Sequence, residues 1–416
     1  MRILYHHRIR SKDGQFVHIE EMISALRAQG HEVVLCGPHA VASDALGSDG
    51  GVVNVLKKCI PSPVYELMES AYAIVDYLRL RRAVRRYQPD AIYERYNLFS
   101  PAGVLVKRRY RLPLLLEINA PVFDERAKYG GLTLRRLARC SEQYVWKRAD
   151  ALLPVTKVLA RRIEQEGIPP SRIRVIPNGV DLRRFEGCPS REEAKQKLGL
   201  AGQLVLGFVG FVREWHGLDR VLDILAARQK KGQFCHLMIV GEGPAKPSIE
   251  KQAQALGINS SITFTGVVPR DELPLYLSAF DIALQPAVVD YASPLKVFEY
   301  MAASCAIVAP ATPNILEILT HGEDAYLFPP GRPESLGHAL DVVCSDSLLC
   351  ERLGRCARRT LSRKGLLWEN NARTVIALFE KLLQGESLAS VEPASAAATI
   401  TECKSACISP ASSQKT

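Results

Sequence analysis

Short runs of apolar residues alternate with helix-like patterns along most of the chain. The apolar positions between Ile19 and Leu26 recur at the i, i+3, i+4, i+7 spacing of one helix face, which predicts a helix over 18–29 that ends at Gly30. Predicted strands in the first half cover residues 3–5, 32–36, 91–93, 114–116, 151–155 and 174–176. Because strands that alternate with helices form βαβ units, this half predicts a doubly wound α/β domain with a parallel sheet.

The same alternation starts again near residue 203. The run over 204–210 is almost continuously apolar, as expected for a central parallel strand that is covered on both faces. Further strands are predicted over 236–240, 262–264, 282–284 and 306–309. We therefore predict an α/β chain of two doubly wound, Rossmann-like domains that face each other across a cleft. Ligands bind in such a cleft, outside the carboxyl ends of the strands.

Turn residues and composition divide the chain into segments. Pro177-Asn178-Gly179 supplies turn chemistry in a linker around 178–200. The last part of the chain is rich in Ser, Ala, Thr and Pro and has few large apolar residues, which predicts a disordered tail. The predicted segments are a first domain over 1–185, a second domain over 186–365, a C-terminal helix over 366–384 and the tail over 385–416.

Composition narrows the class of protein. The chain has 416 residues, of which 47% are apolar and 24% charged, so it can form two cores; a fibre, global disorder and a small disulfide scaffold are excluded. Its 11 cysteines are irregularly spaced and include no C-x-x-C pair, which indicates reduced, mostly buried thiols and no metal site. No apolar run approaches the ~18 residues of a membrane-spanning helix, and no secretory signal precedes the first strand, so we expect a cytoplasmic protein.

Positive charge is concentrated in the first half. Residues 1–200 carry 34 Lys and Arg against 22 Asp and Glu, whereas residues 201–416 carry 20 against 22. The basic clusters lie at 79–86, 107–111 and 135–139. Each cluster alone would be read as a solvated helix face, but three in one half also fit a surface that attracts polyanions. Because no nucleic-acid-binding motif accompanies them, we expect an anionic membrane face as the partner, and no nucleic acid.

The strongest local motif is Ser293-Pro294-Leu295-Lys296, which leads into Glu299. It predicts a helix with Ser293 at the N-cap and Pro294 at the first helical position. A lysine in the first turn opposes the helix dipole, and an anion bound at this end of the helix would explain its presence. Glu299 shares a face with Lys296 and would accept hydrogen bonds from sugar hydroxyls. The alternative is an ordinary i,i+3 Lys–Glu pair on an exposed helix.

Two strand-to-helix loops are further candidates. The segment 209–218 could hold a phosphate on its backbone amides, with Arg213 or His216 adding charge; an ordinary βα loop with a capping glycine is equally consistent. Gly14 and His18 lie at a second junction of this kind. A histidine in that position is more often a satisfied or surface side chain than a catalyst.

Several catalytic motifs are absent from the sequence. There is no G-x-x-x-x-G-K-[ST], G-x-G-x-x-G, H-E-x-x-H or G-x-S-x-G. No D-x-D occurs either, which removes the usual manganese-binding carboxylate pair of single-domain sugar transferases. Nothing therefore favours a P-loop nucleotide hydrolase, a zinc protease or a serine hydrolase.

A set of short motifs occurs in order along the chain. They are Gly14 ahead of the first helix, Gly30-His31-Glu32-Val33-Val34, Val175-Ile176-Pro177-Asn178-Gly179-Val180-Asp181 with Phe185, Val240-Gly241-Glu242-Gly243-Pro244, Phe264-Thr265-Gly266-Val267-Val268, and Ser293-Pro294-Leu295-Lys296 with Glu299. Together they resemble the family-4 retaining glycosyltransferases, which use nucleotide sugars and have the two-domain GT-B architecture. The resemblance covers nearly all of residues 1–383. It implies a nucleotide-sugar site in the second domain, an acceptor site in the first, and a C-terminal helix that crosses back onto the first domain.

The resemblance also implies roles for individual residues. Glu299 matches the second glutamate of the family's E-x7-E motif, which binds the nucleotide ribose, in the Ser-Pro-x-Lys variant of that motif. The first glutamate, which contacts the donor sugar, falls at Tyr291, and Asp290 is the only carboxylate nearby. Asn119 stands where many members carry a histidine near the reacting carbon. The expected catalytic residues are Glu299, Lys296, Asp290 and Asn119.

The diphosphate site departs from the family pattern. The family's arginine and lysine after the first strand of the second domain are replaced here by Phe211 and His216. We infer that Lys296, helped by Arg213 and His216, neutralises the diphosphate, so that no metal ion is needed. The expected donor-binding residues are Gly14, Arg213, His216, Gly241, Val267, Ser293, Pro294, Leu295, Lys296 and Glu299. Among them, Val267 is expected to meet the nucleobase through its backbone.

The function that this resemblance implies is transfer of a sugar from a nucleotide diphosphate sugar, with retention, to a polysaccharide or lipid-linked oligosaccharide acceptor. The expected acceptor partner is a polysaccharide or a polyprenyl-linked chain. We expect no cofactor and no metal, and docking on the inner face of the cell membrane through the basic first domain. Closure of the domains would exclude water from the donor. The alternatives are a nucleotide-sugar epimerase or hydrolase of the same fold, and a non-catalytic nucleotide-sugar-binding protein of a polysaccharide assembly complex.

Overall fold

The computed structural model describes residues 1–9, 14–38 and 60–388. Of the tail predicted over 385–416, the part after residue 388 lies outside the described residues. The chain forms two α/β domains, each built on a parallel sheet, and this confirms the predicted fold class. In each domain two apolar clusters fill the space between the sheet and its helices, as expected for a sheet that is covered on both faces.

The first domain contains a five-stranded sheet in the order β2-β1-β3-β4-β5. Its strands are β1 Arg2–His6, β2 Glu32–Cys36, β3 Ala91–Arg95, β4 Leu114–Ile118 and β5 Ala151–Pro154. The helices described in this domain are α1 Gly14–Ala28, α2 Ser62–Tyr87, α3 Ala102–Tyr110, α4 Val122–Tyr129, α5 Arg135–Arg148 and α6 Lys157–Gln165. All pairings in the sheet are parallel, as the alternation of strands and helices predicts.

The strand predicted over 174–176 does not form. The backbone N–H of Arg174 donates to the carbonyl of Leu152 at 2.9 Å, and that of Ile176 donates to Pro154 at 3.0 Å. A parallel ladder would need the N–H of residue 154 to donate in return, and proline has none. The segment therefore runs beside β5 without extending the sheet, apart from an isolated bridge at Ile173.

The second domain contains a six-stranded sheet in the order β11-β10-β9-β6-β7-β8. Its strands are β6 Val205–Val209, β7 His236–Val240, β8 Ile262–Gly266, β9 Ile282–Leu284, β10 Ala306–Pro310 and β11 Tyr326–Phe328. Its helices are α7 Arg191–Lys197, α8 Leu218–Lys230, α9 Lys246–Leu256, α10 Leu273–Ser278, α11 Leu295–Ala302, α12 Pro313–Ile318, α13 Ser335–Ser345 and α14 Ser347–Arg363. The edge strand β11 was not predicted, because it has three residues and prolines follow it directly.

The chain crosses between the domains twice, at neighbouring points. Val180 forms a parallel bridge with Leu367, and Gly179 lies so close to Trp368 that a Cβ there would stand 2.7 Å from its backbone nitrogen. A glycine is therefore required where the two crossings meet. Helix α15, Trp368–Gln384, then packs on α1 and contributes Trp368 and Phe379 to the first domain's core. Its direction is the one that the family resemblance implies.

Two further sequence expectations concern single features. The eight cysteines within the described residues are all free, but only three of them are buried, so the expectation of mostly buried thiols is wrong. Of the helices that the structure describes, none is both long enough and apolar enough to cross a membrane.

Candidate active site

A glycine follows each of the strands β6 and β7, and these two glycines lie in contact with each other. Gly210 follows β6 with a φ of 127°, and Gly241 follows β7 with a φ of 135°, a region that residues with a Cβ rarely adopt. The N–H of Gly210 donates to the carbonyl of Val240 at 2.9 Å, and a Cβ on Gly241 would overlap the carbonyl oxygen of Gly210. The two loops therefore lie directly against each other, and the glycines leave open backbone in front of α11.

Lys296 points into this space from the first turn of α11. Its Nζ is buried and lies 3.7 Å from the centre of the Phe208 ring. It is also close to Gly210, because a Cβ added to that glycine would be 3.2 Å from the Nζ. Among the described residues no group hydrogen-bonds to this Nζ. Burial lowers the pKa of Lys296 to about 7, which Glu299 only partly opposes. An exposed Lys–Glu pair is thus excluded: the lysine is buried, and no described side chain accepts a hydrogen bond from its ammonium.

The start of α11 differs from its prediction. The helix begins at Leu295, and Pro294, not Ser293, occupies the N-cap position. The Ser293 hydroxyl instead accepts a hydrogen bond from the backbone N–H of Asn178 at 3.0 Å, and the Ser293 carbonyl accepts one from the Asn178 side chain. Because this serine is committed to the interdomain linker, the first N–H groups of α11 have no side-chain cap.

The loop after β6 brings Arg213 and His216 to the same site, but they contribute differently. The His216 Nδ1 accepts a hydrogen bond from the backbone N–H of Arg213 at 3.2 Å. Burial, reinforced by Lys296 and Arg213, lowers the pKa of His216 to about 3. The imidazole is therefore neutral at pH 7 and can donate through Nε2, but it adds no positive charge, contrary to the sequence-based inference. The Arg213 guanidinium lies over the rings of Phe211 and Trp215, at 4.8 and 4.7 Å from their centres.

Glu299 lies one turn further along α11, in a pocket at the domain junction that also contains Arg184, Arg270 and Glu21. Burial raises the pKa of Glu299, while Arg270 acts in the opposite direction. The Glu21 carboxylate of α1 lies 2.6 Å from Arg270 and 3.0 Å from Arg184. This cluster could not be predicted from the sequence, because it joins four distant segments only once the two domains meet.

Asp290 and Tyr291 connect the loop before α11 to the first domain. The Asp290 carboxylate pairs with Arg162 of α6 at 2.8 Å and is half exposed. The Tyr291 hydroxyl donates to Glu125 of α4, and its carbonyl accepts a hydrogen bond from Thr156 at 3.0 Å. The position at which the resemblance implies a donor-sugar carboxylate is thus occupied here by the Tyr291 side chain, which reaches across to the first domain.

The remaining predicted residues lie around the same junction. Gly14 opens α1, where its Cβ position would be 3.9 Å from a methyl group of Leu295, so this turn packs against the start of α11. Val267 follows β8 directly and is 45% exposed.

Across the cleft, a buried carboxylate organises the end of β4. Glu117 accepts a hydrogen bond from Tyr93 at 2.7 Å, and further ones from Arg95 and from the Asn119 side chain. Burial acts to raise the pKa of Glu117, but the electrostatic effects of His18 and Arg95 outweigh it and hold that pKa well below its usual range. Asn119 is consequently held in place by a permanently ionised partner.

His18 is a buried histidine that lies between Glu117 and Asn178. Its Nε2 lies 2.8 Å from Glu117, and its Nδ1 donates to the Asn178 side-chain oxygen at 2.7 Å. Because Asn178 also binds Ser293, a continuous line of polar contacts joins Glu117 in the first domain to the start of α11 in the second. Asn178 was predicted only as a turn residue; its bridging role depends on the packing of both domains.

The Asn178→Ala substitution is expected to lower the free energy of unfolding by about 1–3 kcal/mol, because it leaves the His18 Nδ1 and the buried Ser293 carbonyl without their partner. Thermal unfolding of the variant beside wild type measures the loss. Asn259→Ala, at an exposed position, is the matched control and is expected to leave Tm unchanged. Equal melting of all three proteins would contradict the bridging role.

Known proteins resemble both halves of the chain. The family model described as glycosyl transferases group 1 matches residues 190–360, and the glycosyl transferase 4-like domain matches residues 13–179. A D-inositol 3-phosphate glycosyltransferase of Jonesia denitrificans is 24% identical over 391 residues, 88% of this chain and 91% of that protein. A GDP-mannose-dependent alpha-(1-6)-phosphatidylinositol dimannoside mannosyltransferase of Mycobacterium tuberculosis is 29% identical over 355 residues, 84% of this chain and 88% of that protein.

A solved structure shares the whole fold. The Anabaena HepE protein in complex with UDP superposes with a TM-score of 0.70 at 17% identity, covering 92% of this chain and 100% of that one. At this identity the likeness shows the fold, and it spans both domains.

Proposed function

The chain belongs to the family-4-like glycosyltransferases of GT-B architecture, which take their sugar from a nucleotide-sugar donor, and we propose the finer features of its reaction. The proposed transfer starts from a nucleotide diphosphate sugar, retains the configuration at the anomeric carbon, needs no metal ion, and delivers the sugar to a polysaccharide or lipid-linked oligosaccharide acceptor. The donor occupies the second domain and the acceptor the first.

The observation that carries this proposal is the state of Lys296. A buried ammonium with no hydrogen-bond partner among the described residues, and with a pKa lowered to about 7, is costly to charge. A diphosphate bound between the Gly210 backbone and the start of α11 would pair with it and restore the full charge. The uncapped N–H groups of α11 add to the same positive field.

The same groups support departure of the nucleotide without a metal. As the bond from the anomeric carbon to the diphosphate breaks, negative charge grows on the leaving oxygen. A fixed ammonium and helix N–H groups stabilise that charge where it develops. His216 contributes a neutral N–H donor, and Arg213 remains a charged group at the mouth of the loop.

Glu299 supports ribose binding through its carboxylate, and Asn119, held on Glu117, faces the reaction from the first domain. Asp290 is proposed to approach the donor sugar only after it leaves its ion pair with Arg162, whereas Tyr291 is engaged with Glu125. The names of two proteins support the donor and acceptor classes: one relative is GDP-mannose-dependent and acts on a phosphatidylinositol mannoside, and the Anabaena protein was crystallised with UDP.

The basic first domain supports docking on an anionic membrane, at the cytoplasmic face where a lipid-linked acceptor is exposed. The excess of positive charge lies in residues 1–200, which include this domain, and the second half has none.

The proposed function is tested by incubating the full chain with a panel of nucleotide diphosphate sugars, with and without short polyprenyl-linked acceptors, in the presence of EDTA. Proton NMR of the product reads the anomeric configuration. We expect acceptor-dependent release of the nucleotide, a retained anomer, and no effect of EDTA. Inversion, loss of activity in EDTA, or donor turnover that is independent of acceptor would each contradict the corresponding part of the proposal.

The affinity for a nucleoside diphosphate is expected to fall as pH rises above 7. Binding requires protonated Lys296, whose pKa in the free protein is about 7, so deprotonation weakens binding by up to about tenfold per pH unit until the higher pKa of the complex is reached. Titration calorimetry between pH 7 and 9 measures the slope. Lys296→Arg, which stays charged, is expected to flatten it; the same slope in both proteins would show that another group titrates.

A further inference from the structure

Helix α2 carries an apolar stripe on its solvent face. Its large members are exposed by between 39% and 64% of their surface, although α2 packs into the first domain through its other side. They are Val64, Leu67, Met68, Ile74, Val75 and Leu78. Together with Ala71 they recur at helical spacing over 15 residues. The stripe is therefore about 22 Å long and covers an arc of about 120° of the helix surface. The buried face, with Ala73, Leu80 and Val84, lies opposite.

The same face becomes basic where the stripe ends. Arg82, Arg85 and Arg86 are exposed, and at about 100° per residue they continue the line of the apolar positions past Leu78. Arg108 and Arg109 lie on α3, which packs beside α2. The helix thus presents about four turns of apolar surface followed by about one and a half turns that carry guanidinium groups.

We propose that α2 is the membrane-binding element of this protein, and that it lies in the interface of an anionic bilayer with its apolar stripe among the acyl chains and Arg82, Arg85 and Arg86 on lipid phosphates. This deepens the membrane partner of the proposed function and rests on it. The charge complementarity selects an anionic lipid surface over a neutral one. The shape of the surface is that of an interfacial helix, apolar on one face and too polar elsewhere to insert fully.

Binding of α2 to a membrane has an electrostatic and a hydrophobic contribution, and these two respond differently to salt. A purely electrostatic patch releases its membrane when salt is raised, because the Debye length shrinks to a few ångströms near 1 M salt. An apolar stripe that has entered the acyl region holds on after the first contact, since hydrophobic burial is not screened. We therefore expect association that needs anionic lipid at first but resists salt once made.

The experiment is sedimentation of the full chain with vesicles of phosphatidylcholine alone or mixed with phosphatidylglycerol. The apolar variant is L67Q/I74Q/L78Q, and its matched control is L348Q/F234Q, which removes two strongly exposed apolar side chains from the second domain. We expect the apolar variant to bind mixed vesicles at least about tenfold more weakly than wild type, and the control to bind as wild type does. I74Q alone keeps the test valid if the triple variant does not fold.

A second experiment measures how deeply α2 enters the bilayer. Tryptophan placed by I74W is expected to be quenched by bromine-labelled acyl chains in mixed vesicles, beyond the quenching of wild type. Three results would overturn the proposal. The first is binding of the apolar variant at the wild-type level, and the second is equal binding of wild type to both vesicle types. The third is a wild-type dimer in size-exclusion chromatography that the apolar variant does not form. Nucleotide binding, followed by thermal shift without vesicles, is expected to stay at the wild-type level in every variant, so failure here is distinct from failure of the proposed function.

Discussion

Replacing Lys296 by alanine is expected to lower kcat/KM for the nucleotide-sugar by about 10²–10³-fold, the range measured when one preorganised donor to a developing negative charge is removed. The side chain is the one buried cation without a partner at the carboxyl ends of β6 and β7, within the part of the chain that the structure describes. His216 cannot take over the charge, because its pKa of about 3 keeps it neutral. The measurement is the rate of nucleotide release at subsaturating donor with acceptor present.

Lys230→Ala is the matched control, since it removes a lysine from the exposed far end of α8. It is expected to leave kcat/KM unchanged. Removal of Lys296 also removes a buried charge that lacks a partner, so the ligand-free variant is expected to be at least as stable as wild type. A Lys296→Ala protein that is folded and turns over at the wild-type rate would contradict the role of Lys296.

The second large effect is expected from Gly241→Ala. A methyl group there overlaps the carbonyl oxygen of Gly210, and a φ of 135° is strained for any residue with a Cβ. We expect a loss of about 1–3 kcal/mol in unfolding free energy from the strain alone, and loss of nucleotide binding as the Gly210 loop is displaced from Lys296. Thermal unfolding and a nucleotide titration on the same preparation read the two effects.

Gly232→Ala is the control for backbone conformation. Gly232 has a φ of 74°, but nothing lies within 4 Å of its Cβ position. Its substitution is expected to destabilise the fold modestly and to leave nucleotide affinity unchanged. If both variants lost the same stability and kept the same affinity, the contact between the loops after β6 and β7 would have no part in donor binding.

The elements that sequence reasoning identified are those whose pattern is local. Long apolar runs such as 204–210 and 236–240 became central parallel strands, and the first-turn lysine of α11 indicated an anion site before any geometry was known. The strand predicted over 174–176 was wrong because its pairing depends on a proline in another strand. The short edge strand β11 offers too few residues for a pattern.

The interdomain contacts were beyond prediction for a different reason. The partners of Tyr291, Ser293 and Asp290 are Glu125, Asn178 and Arg162, each more than 100 positions away in the chain. Such pairs are set by how the two domains meet, which no window of sequence records. The shift of the pKa of His216 is likewise a product of burial and of Lys296, so the sequence could place the residue but not its charge.

The donor site at the start of α11 is tested most directly by a thermal-shift screen against nucleoside diphosphates and their sugars. The proteins compared are wild type, Glu299→Gln and Lys296→Ala. A ligand that binds only the native state raises Tm according to its affinity. We expect one nucleoside diphosphate to raise the Tm of wild type and both substitutions to abolish the shift. No shift with any nucleotide in folded wild-type protein, or an undiminished shift in both variants, would contradict a donor site at the start of α11.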